Sequence, residues 1–229
     1  MSLILGVLGG MGPAATLDFL GKLQAATPVQ RDQDHIRTLV DINPLVPDRN
    51  DPAARPGPVL AQMATSLRDS GAQVLAIACN TAHAYADVIV RASGLPLVDM
   101  IGTAAKTARD TGARRAGVLG TPKALKLYRE YLAAQGMGVV TLDQGRQEVF
   151  MDLIYKIKRG DLGPEVRERM AELTQYLAAE GAEAIIAGCT EVPLVFDAAT
   201  SRLPFVDAGE VLARRCVSVC LGLEPLPAL

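Results

Sequence analysis

Two of the four cysteines in this 229-residue chain stand where a thiol can do chemistry. Cys79 closes the apolar run VLAIAC and Cys189 closes AIIAGC. Each is followed by polar residues, Asn80-Thr81 and Thr190-Glu191, of a kind that caps a helix. A thiol at the mouth of a helix is biased toward thiolate and becomes a usable base near neutral pH. Cys216 and Cys220 differ: they sit among Val, Leu and Ala on an amphipathic stretch and are expected to be small buried hydrophobes. No C-x-x-C pair exists and the chain holds only two histidines, which speaks against a zinc site. A hydrolytic cysteine needs a histidine partner. His83 follows Cys79 by four residues, which on a helix puts it one turn further in, behind the thiol, as a supporting or solvated group.

The second chemical feature is GVLGGMGPAA at Gly6–Ala15, an apolar run that breaks into glycines and a proline and then becomes helical in pattern. Gly10, Met11 and Gly12 leave backbone N–H groups open, and Pro13 suits a first helical turn. Such a terminus binds anions. The stretch fits the loose G-x-G-x-x-A form of a dinucleotide fingerprint, and Asp41 lies near the end of the second strand. The matching stretch in the second half, Gly120-Thr121-Pro122, has a Thr hydroxyl but no glycine pair, so the expected anion is a substrate carboxylate rather than a phosphate.

Strand-like runs at Ile4–Leu8, Ile36–Ile42, Val74–Ala78, Leu97–Val98, Ala116–Leu119, Val139–Leu142, Ala184–Ala187 and Phe205–Val206 must position these groups. Helix-like stretches alternate with them: Ala14–Ala25, Val59–Ser70, Ala82–Ala92, Gly102–Thr111, Lys123–Gln135, Val149–Lys158, Glu165–Glu180 and Glu210–Leu221. This alternation predicts parallel sheets covered on both faces. The segment Asn43–Pro58 carries five prolines and reads as a long loop, functional or disordered.

The halves repeat. GVLGGMGP at Gly6 resembles GVLGTPKA at Gly117, and the two cysteines follow at nearly equal distances, 73 and 72 positions on. The same ruler pairs Arg49, 43 positions after Gly6, with Lys158, 41 after Gly117. A duplicated four-stranded α/β unit follows. Ligands of such sheets bind at the carboxyl ends of the strands, so each half is expected to bring one thiol and one cation to a shared cleft. Two thiols addressing one carbon from opposite sides suit racemisation: one takes a proton, the other returns one. For each cation the plain alternative is a solvated surface charge.

Composition narrows the rest. The chain is 49% hydrophobic and 4% aromatic, with 23 basic and 25 acidic residues and no basic block, so nothing points to nucleic acid or a membrane surface. Its apolar N-terminus carries no Lys or Arg before Lys22 and is broken by glycines and Asp18, which fits neither a signal peptide nor a membrane span. A cytoplasmic location, with reduced thiols, is the default expectation.

GVLGGMGPAAT, RDQDHI, NPLVPDR, CNTAHAYAD and IIAGCTEVPLV together resemble the cofactor-independent aspartate/glutamate racemases, and aspartate racemases most of all, from Gly6 to about Asp207. The resemblance implies two similar α/β domains, each a four-stranded parallel sheet flanked by helices, with the active site in the cleft between them. The expected domains are 1–98 with 208–229, the C-terminal helix returning to the first, and 99–207. It implies Cys79 and Cys189 as the acid/base pair, no pyridoxal phosphate and no metal. Arg49 matches the family's substrate-binding arginine and Lys158 its lysine, with Arg159 as a neighbouring alternative. Met11, Gly12, Asn80, Thr81, Thr121 and Thr190 complete the expected substrate contacts. Some relatives replace one cysteine by threonine; this chain keeps both. The implied substrate is a small acidic amino acid, and the implied assembly a homodimer. A related isomerase of hydantoin or maleate type using the same paired cysteines, and a binding module that kept the cleft, are the alternatives.

Overall fold

Leu5–Gly9 is apolar and buried at every position, the pattern of a strand covered on both faces. The computed structural model, which describes residues 2–228, makes it the centre of the first sheet. In chain order the elements are β1 (Leu5–Gly9), α1 (Pro13–Ala26), β2 (Thr38–Ile42), α2 (Gly57–Asp69), β3 (Val74–Ile77), α3 (Ala86–Ser93), α4 (Met100–Asp110), β4 (Arg115–Val118), α5 (Pro122–Ala134), β5 (Gly138–Val140), α6 (Gln144–Lys158), α7 (Pro164–Ala179), β6 (Ala184–Ala187), β7 (Phe205–Asp207) and α8 (Ala208–Cys220). The chain divides into two units, Met1–Met100 with Gly209–Leu229, and Ile101–Ala208. The first holds a sheet of order β2-β1-β3 and the second a sheet of order β5-β4-β6-β7, all pairs parallel.

The duplication is visible atom by atom. A Cβ on Gly6 would lie 2.8 Å from Ala72 and Leu75 and 3.3 Å from Leu67; one on Gly117 would lie 3.0 Å from Ala182, Ile185 and Leu177. The same small residue lets the same helix approach the same strand in each unit. Each core forms under that contact: Leu8, Leu60, Met63, Leu67 and Leu75 in the first unit, Phe150, Ile154, Met170, Leu173 and Ile185 in the second.

The fourth strand expected in the first unit is not a strand. Leu97 makes one isolated bridge to Leu75, so this sheet has three strands where the second has four. The segments Leu95–Asp99 and Leu203–Asp207 start alike. Leu75 N–H donates to Pro96 O at 2.8 Å, as Ile185 N–H does to Pro204 O at 2.8 Å. In the first unit Val98 N–H then donates to Leu75 O at 2.8 Å and pairing goes no further; the Met100 amide, at the start of α4, donates to the ring of His83 at 3.2 Å.

Two further expectations change. The helix expected over 82–92 begins as a 3-10 turn, Thr81–Tyr85, and becomes α-helical only at Ala86, with Tyr85 rather than Asn80 at its N-cap. The helix expected from Val149 starts at Gln144, because the Asp143 side chain accepts the Arg146 N–H and caps it. Among the described residues no helix is long and apolar enough to cross a membrane.

Candidate active site

In the first unit β1 and β3 run in register, Leu8 beside Ile77, and the Ala78 amide donates to Leu8 O at 3.0 Å. The glycine loop and Cys79 therefore emerge at one carboxyl edge. Gly10 takes φ +90°, a left-handed value, and a side chain there would strike the Asn43 backbone at 2.5 Å. Its N–H donates to Thr16 Oγ1 at 2.9 Å, and the Thr16 hydroxyl donates to Gly12 O at 3.0 Å, which fixes the loop. Gly12 is the N-cap of α1, Pro13 fills the first turn, and no side chain caps the helix, which leaves its end suited to an anion.

Arg49 reaches this loop from the proline-rich segment. It is 8% exposed; Nη2 donates to Met11 O at 2.9 Å, and Nη1 to Val46 O at 3.3 Å and Pro47 O at 3.2 Å. Its buried Nε has no hydrogen-bond partner. The fork is thus largely turned to backbone carbonyls, and one buried donor is left for an incoming oxygen.

Cys79 is 5% exposed and lies two residues beyond β3, followed by buried Asn80 and Thr81. His83 is bound to it through the backbone rather than the thiol: Nδ1 is 2.9 Å from Cys79 O, and Nε2 is 3.2 Å from the Met100 amide. An amide can only donate, so Nε2 accepts and Nδ1–H donates, which makes the ring the neutral Nδ1–H tautomer. Burial pushes its pKa below the ordinary value, with Asp99 opposing.

In the second unit the Leu119 amide donates to Ile186 O at 3.0 Å, so the β4–α5 loop and Cys189 again share an edge. Thr121 caps α5 through the Ala124 N–H. Cys189, 6% exposed, donates its thiol hydrogen to Glu191 Oε2 at 3.0 Å, and the Thr190 hydroxyl donates to the same oxygen at 3.4 Å. The other carboxylate oxygen accepts from Lys158 Nζ at 2.6 Å, at the last residue of α6. The Lys158 side chain is 24% exposed and Glu191 is 3% exposed. Arg159, one residue on, is exposed.

These contacts correct one sequence expectation. Neither thiol sits at an α-helix N-terminus: the following turns are 3-10, Thr81–Tyr85 and Val192–Leu194. At Cys189 burial first, and then the Glu191 charge, push the thiol well above its ordinary pKa, while Lys158 pulls it back. So placed, this group holds its proton near neutral pH. Glu191 was read from the sequence only as a capping residue; the spacing C-x-E, which lets a carboxylate fold back on a thiol two residues earlier, is the signal for it. Among the described residues no group of three or more His, Cys, Asp or Glu side chains could hold a metal ion.

The second unit thus holds a protonated thiol with a carboxylate and an ammonium behind it, and the first holds, at its own strand end, a thiol and a helix terminus with no side-chain cap. Known proteins similar to this chain are amino-acid racemases. The chain is 28% identical over 232 residues to the broad specificity amino-acid racemase RacX of Bacillus subtilis, covering 96% of this chain and 100% of that protein. It superimposes on the aspartate racemase of Picrophilus torridus with TM-score 0.85 and 27% identity, over 95% of this chain and 94% of that one. The glutamate racemase of Francisella tularensis, solved with D-glutamate, shares the fold at TM-score 0.72 and 20% identity, over 100% of this chain and 84% of that one. Residues 8–216 match the family described as Asp/Glu/Hydantoin racemase, and the chain belongs to that family.

Proposed function

We propose that this amino-acid racemase interconverts L- and D-aspartate, without a cofactor, by proton transfer between two cysteines and the substrate Cα. The observation that carries the reading is the chain Cys189–Glu191–Lys158, with 3.0 Å from thiol to carboxylate and 2.6 Å from carboxylate to ammonium. Its thiol stands at the strand end equivalent to that of Cys79. In one direction the Cys79 thiolate takes the Cα proton and the Cys189 thiol delivers its own to the opposite face. In the other, Glu191 first takes the Cys189 proton, the Cys189 thiolate takes the Cα proton, and the Cys79 thiol delivers its own to the opposite face. After each turnover the thiols carry the reverse protonation, and exchange with solvent resets them.

Removing the α-hydrogen places charge on the α-carboxylate, so donors at that carboxylate help the transition state most. The end of α1 beside Met11 and Gly12, the Arg49 Nε and the hydroxyls of Thr81 and Thr121 are the donors this reading assigns to the substrate, with Asn80, and with Thr190 as a contact through its hydroxyl oxygen. The protein acts as a homodimer in the cytoplasm, where its thiols stay reduced. A second reading, broad amino-acid specificity, is favoured by the full-length similarity to RacX and by an Arg49 fork largely occupied by carbonyls.

Incubating the purified protein with each L-amino acid, with no addition, and assaying the D-enantiomer tests both. Aspartate turned over well ahead of alanine and serine supports the first; comparable rates support the second; no D-product from any amino acid overturns both. In heavy water the product enantiomer gains deuterium at Cα while unreacted substrate stays protonated at early times. Early deuterium in the starting enantiomer would point to one shuttling base.

A further inference from the structure

The edge of the first sheet carries a face that its own duplicate lacks. β2 is an outer strand, and Val40 and Ile42 on it are 37% and 40% exposed; Leu17 on α1 is 61% exposed. Leu20 and Leu23 of α1 line one open groove of about 230 Å³ with Ile36 and Val40. The sheet registers and the shared first-turn prolines set the equivalent positions in the second unit: Gly6 pairs with Leu39 and Gly117 with Val140, while Pro13 and Pro122 open α1 and α5. Val40 and Ile42 then correspond to Thr141 and Asp143, and Leu17 and Leu20 to Lys126 and Arg129. In the second unit Arg129 donates to Thr141 Oγ1 at 3.3 Å, so the same helix-to-strand contact exists there in polar form. One fold element, built twice, is charged in one copy and apolar in the other, so the apolar version is not required by the fold.

The strand is also open to pairing. Ile36–Ile42 contains no Lys, Pro or Gly, the residues that blunt sheet edges. Its charges are self-complementary. In an antiparallel pair centred on Leu39, Arg37 stands opposite the Asp41 of the other strand, twice, on the face that Leu39 shares. Thr38 stands opposite Val40, and Ile36 opposite Ile42, on the α1 face. Neither Arg37 nor Asp41 has an ion-pair partner among the described residues.

We propose that β2 is the self-association surface of this protein: a second copy docks its own β2 antiparallel about a two-fold axis at Leu39, joining two three-stranded sheets into one of six. An isologous contact needs a patch that matches itself, and a strand whose charges pair at equal distances either side of its centre meets that need. The flanking α1 faces bring Leu17 and Leu20 toward their counterparts and cover the groove. This names a face for the proposed homodimer and is independent of the catalytic reading.

Sedimentation of the purified full chain tests it. The wild type is expected to be a dimer. Asp41→Arg and Arg37→Asp each set like charges opposite one another twice and should raise the dimer dissociation constant about tenfold or more. The double variant Arg37→Asp/Asp41→Arg restores the pairs and should return the constant to near wild type, which loss of folding could not do. Circular dichroism melts on each variant establish that the fold is intact. A dimeric wild type unmoved by either single variant overturns the face and leaves the homodimer standing. A wild type that stays monomeric at about 100 μM, where specific dimers are populated, overturns both. Single variants that weaken the dimer with no recovery in the double overturn the Leu39-centred register.

Discussion

Cys189 donates its thiol hydrogen to Glu191 across 3.0 Å, and the same carboxylate holds Lys158 at 2.6 Å on its other oxygen. Burial, and then the carboxylate's charge, keep the thiol protonated, and the Lys158 charge partly offsets them. Glu191→Gln removes the carboxylate while leaving the ammonium, so the Cys189 pKa should fall. In the wild type, alkylation of Cys189 should set in only well into the alkaline range; in the variant it should set in at lower pH. Peptide-resolved alkylation against pH reads this directly, and an unshifted profile would remove Glu191 from control of the thiol.

The four cysteines should separate into two functional and two packing residues. Cys79→Ala and Cys189→Ala should each lower racemisation by at least ~10²–10⁴-fold, the usual worth of an acid/base group. Cys216 and Cys220 lie inside α8 and are almost fully buried. Their Ala variants should keep activity and lose about 1 kcal/mol of stability. Near-normal turnover by Cys79→Ala would end the two-thiol mechanism.

Burial holds His83 neutral, with its folded pKa below the unfolded value of 6.5. The unfolded chain therefore takes up a proton before the folded one does, and stability falls as pH drops from about 7 through the ordinary histidine range. His83→Asn has nothing to protonate, so its melting temperature should vary less over the window of about pH 7 to 5.5, above where carboxylates dominate. Equal pH slopes for the two proteins would show that His83 does not carry this dependence. Because the chain has only two histidines, nitrogen NMR also reports the tautomer: the Nδ1–H form is expected for His83.

Arg49 and Lys158 should fail differently. Arg49→Ala frees three carbonyl contacts and a substrate donor, so KM for aspartate should rise and the proline-rich loop should become easier to cleave by protease. The rise should be larger for aspartate than for alanine if Arg49 meets the side-chain carboxylate. Lys158→Ala leaves Glu191 buried without its ammonium, raises the Cys189 pKa further, and should lower kcat for every substrate. Steady-state kinetics of both variants on aspartate and alanine decides the assignment; equal losses on both substrates for Arg49→Ala would move it to the common amino-acid end.

What the sequence determined by itself was the order of elements and the duplication. Buried parallel strands must be short apolar runs, and β1, β3, β4 and β6 could be read as such because nothing else explains runs like LGVLG between helical periods. The repeat was readable because Gly6 and Gly117 answer one packing demand, and only a residue without a side chain meets it. The positions of Cys79 and Cys189 just past strands followed from the same runs.

What only the tertiary structure decided were contacts between groups far apart in the chain or competing for one partner. Arg49 finds Met11 O across 38 positions, and Lys158 finds Glu191 across 33, and no local pattern encodes such a meeting. The Met100 amide finds the His83 ring across 17 positions, and the segment at Leu97 stops at one isolated bridge to Leu75. The protonation of Cys189 belongs to this second class. A thiol after a strand reads as a thiolate when a helix dipole is assumed, but burial and a facing carboxylate outweigh a short 3-10 turn, and both arise only once the chain has folded.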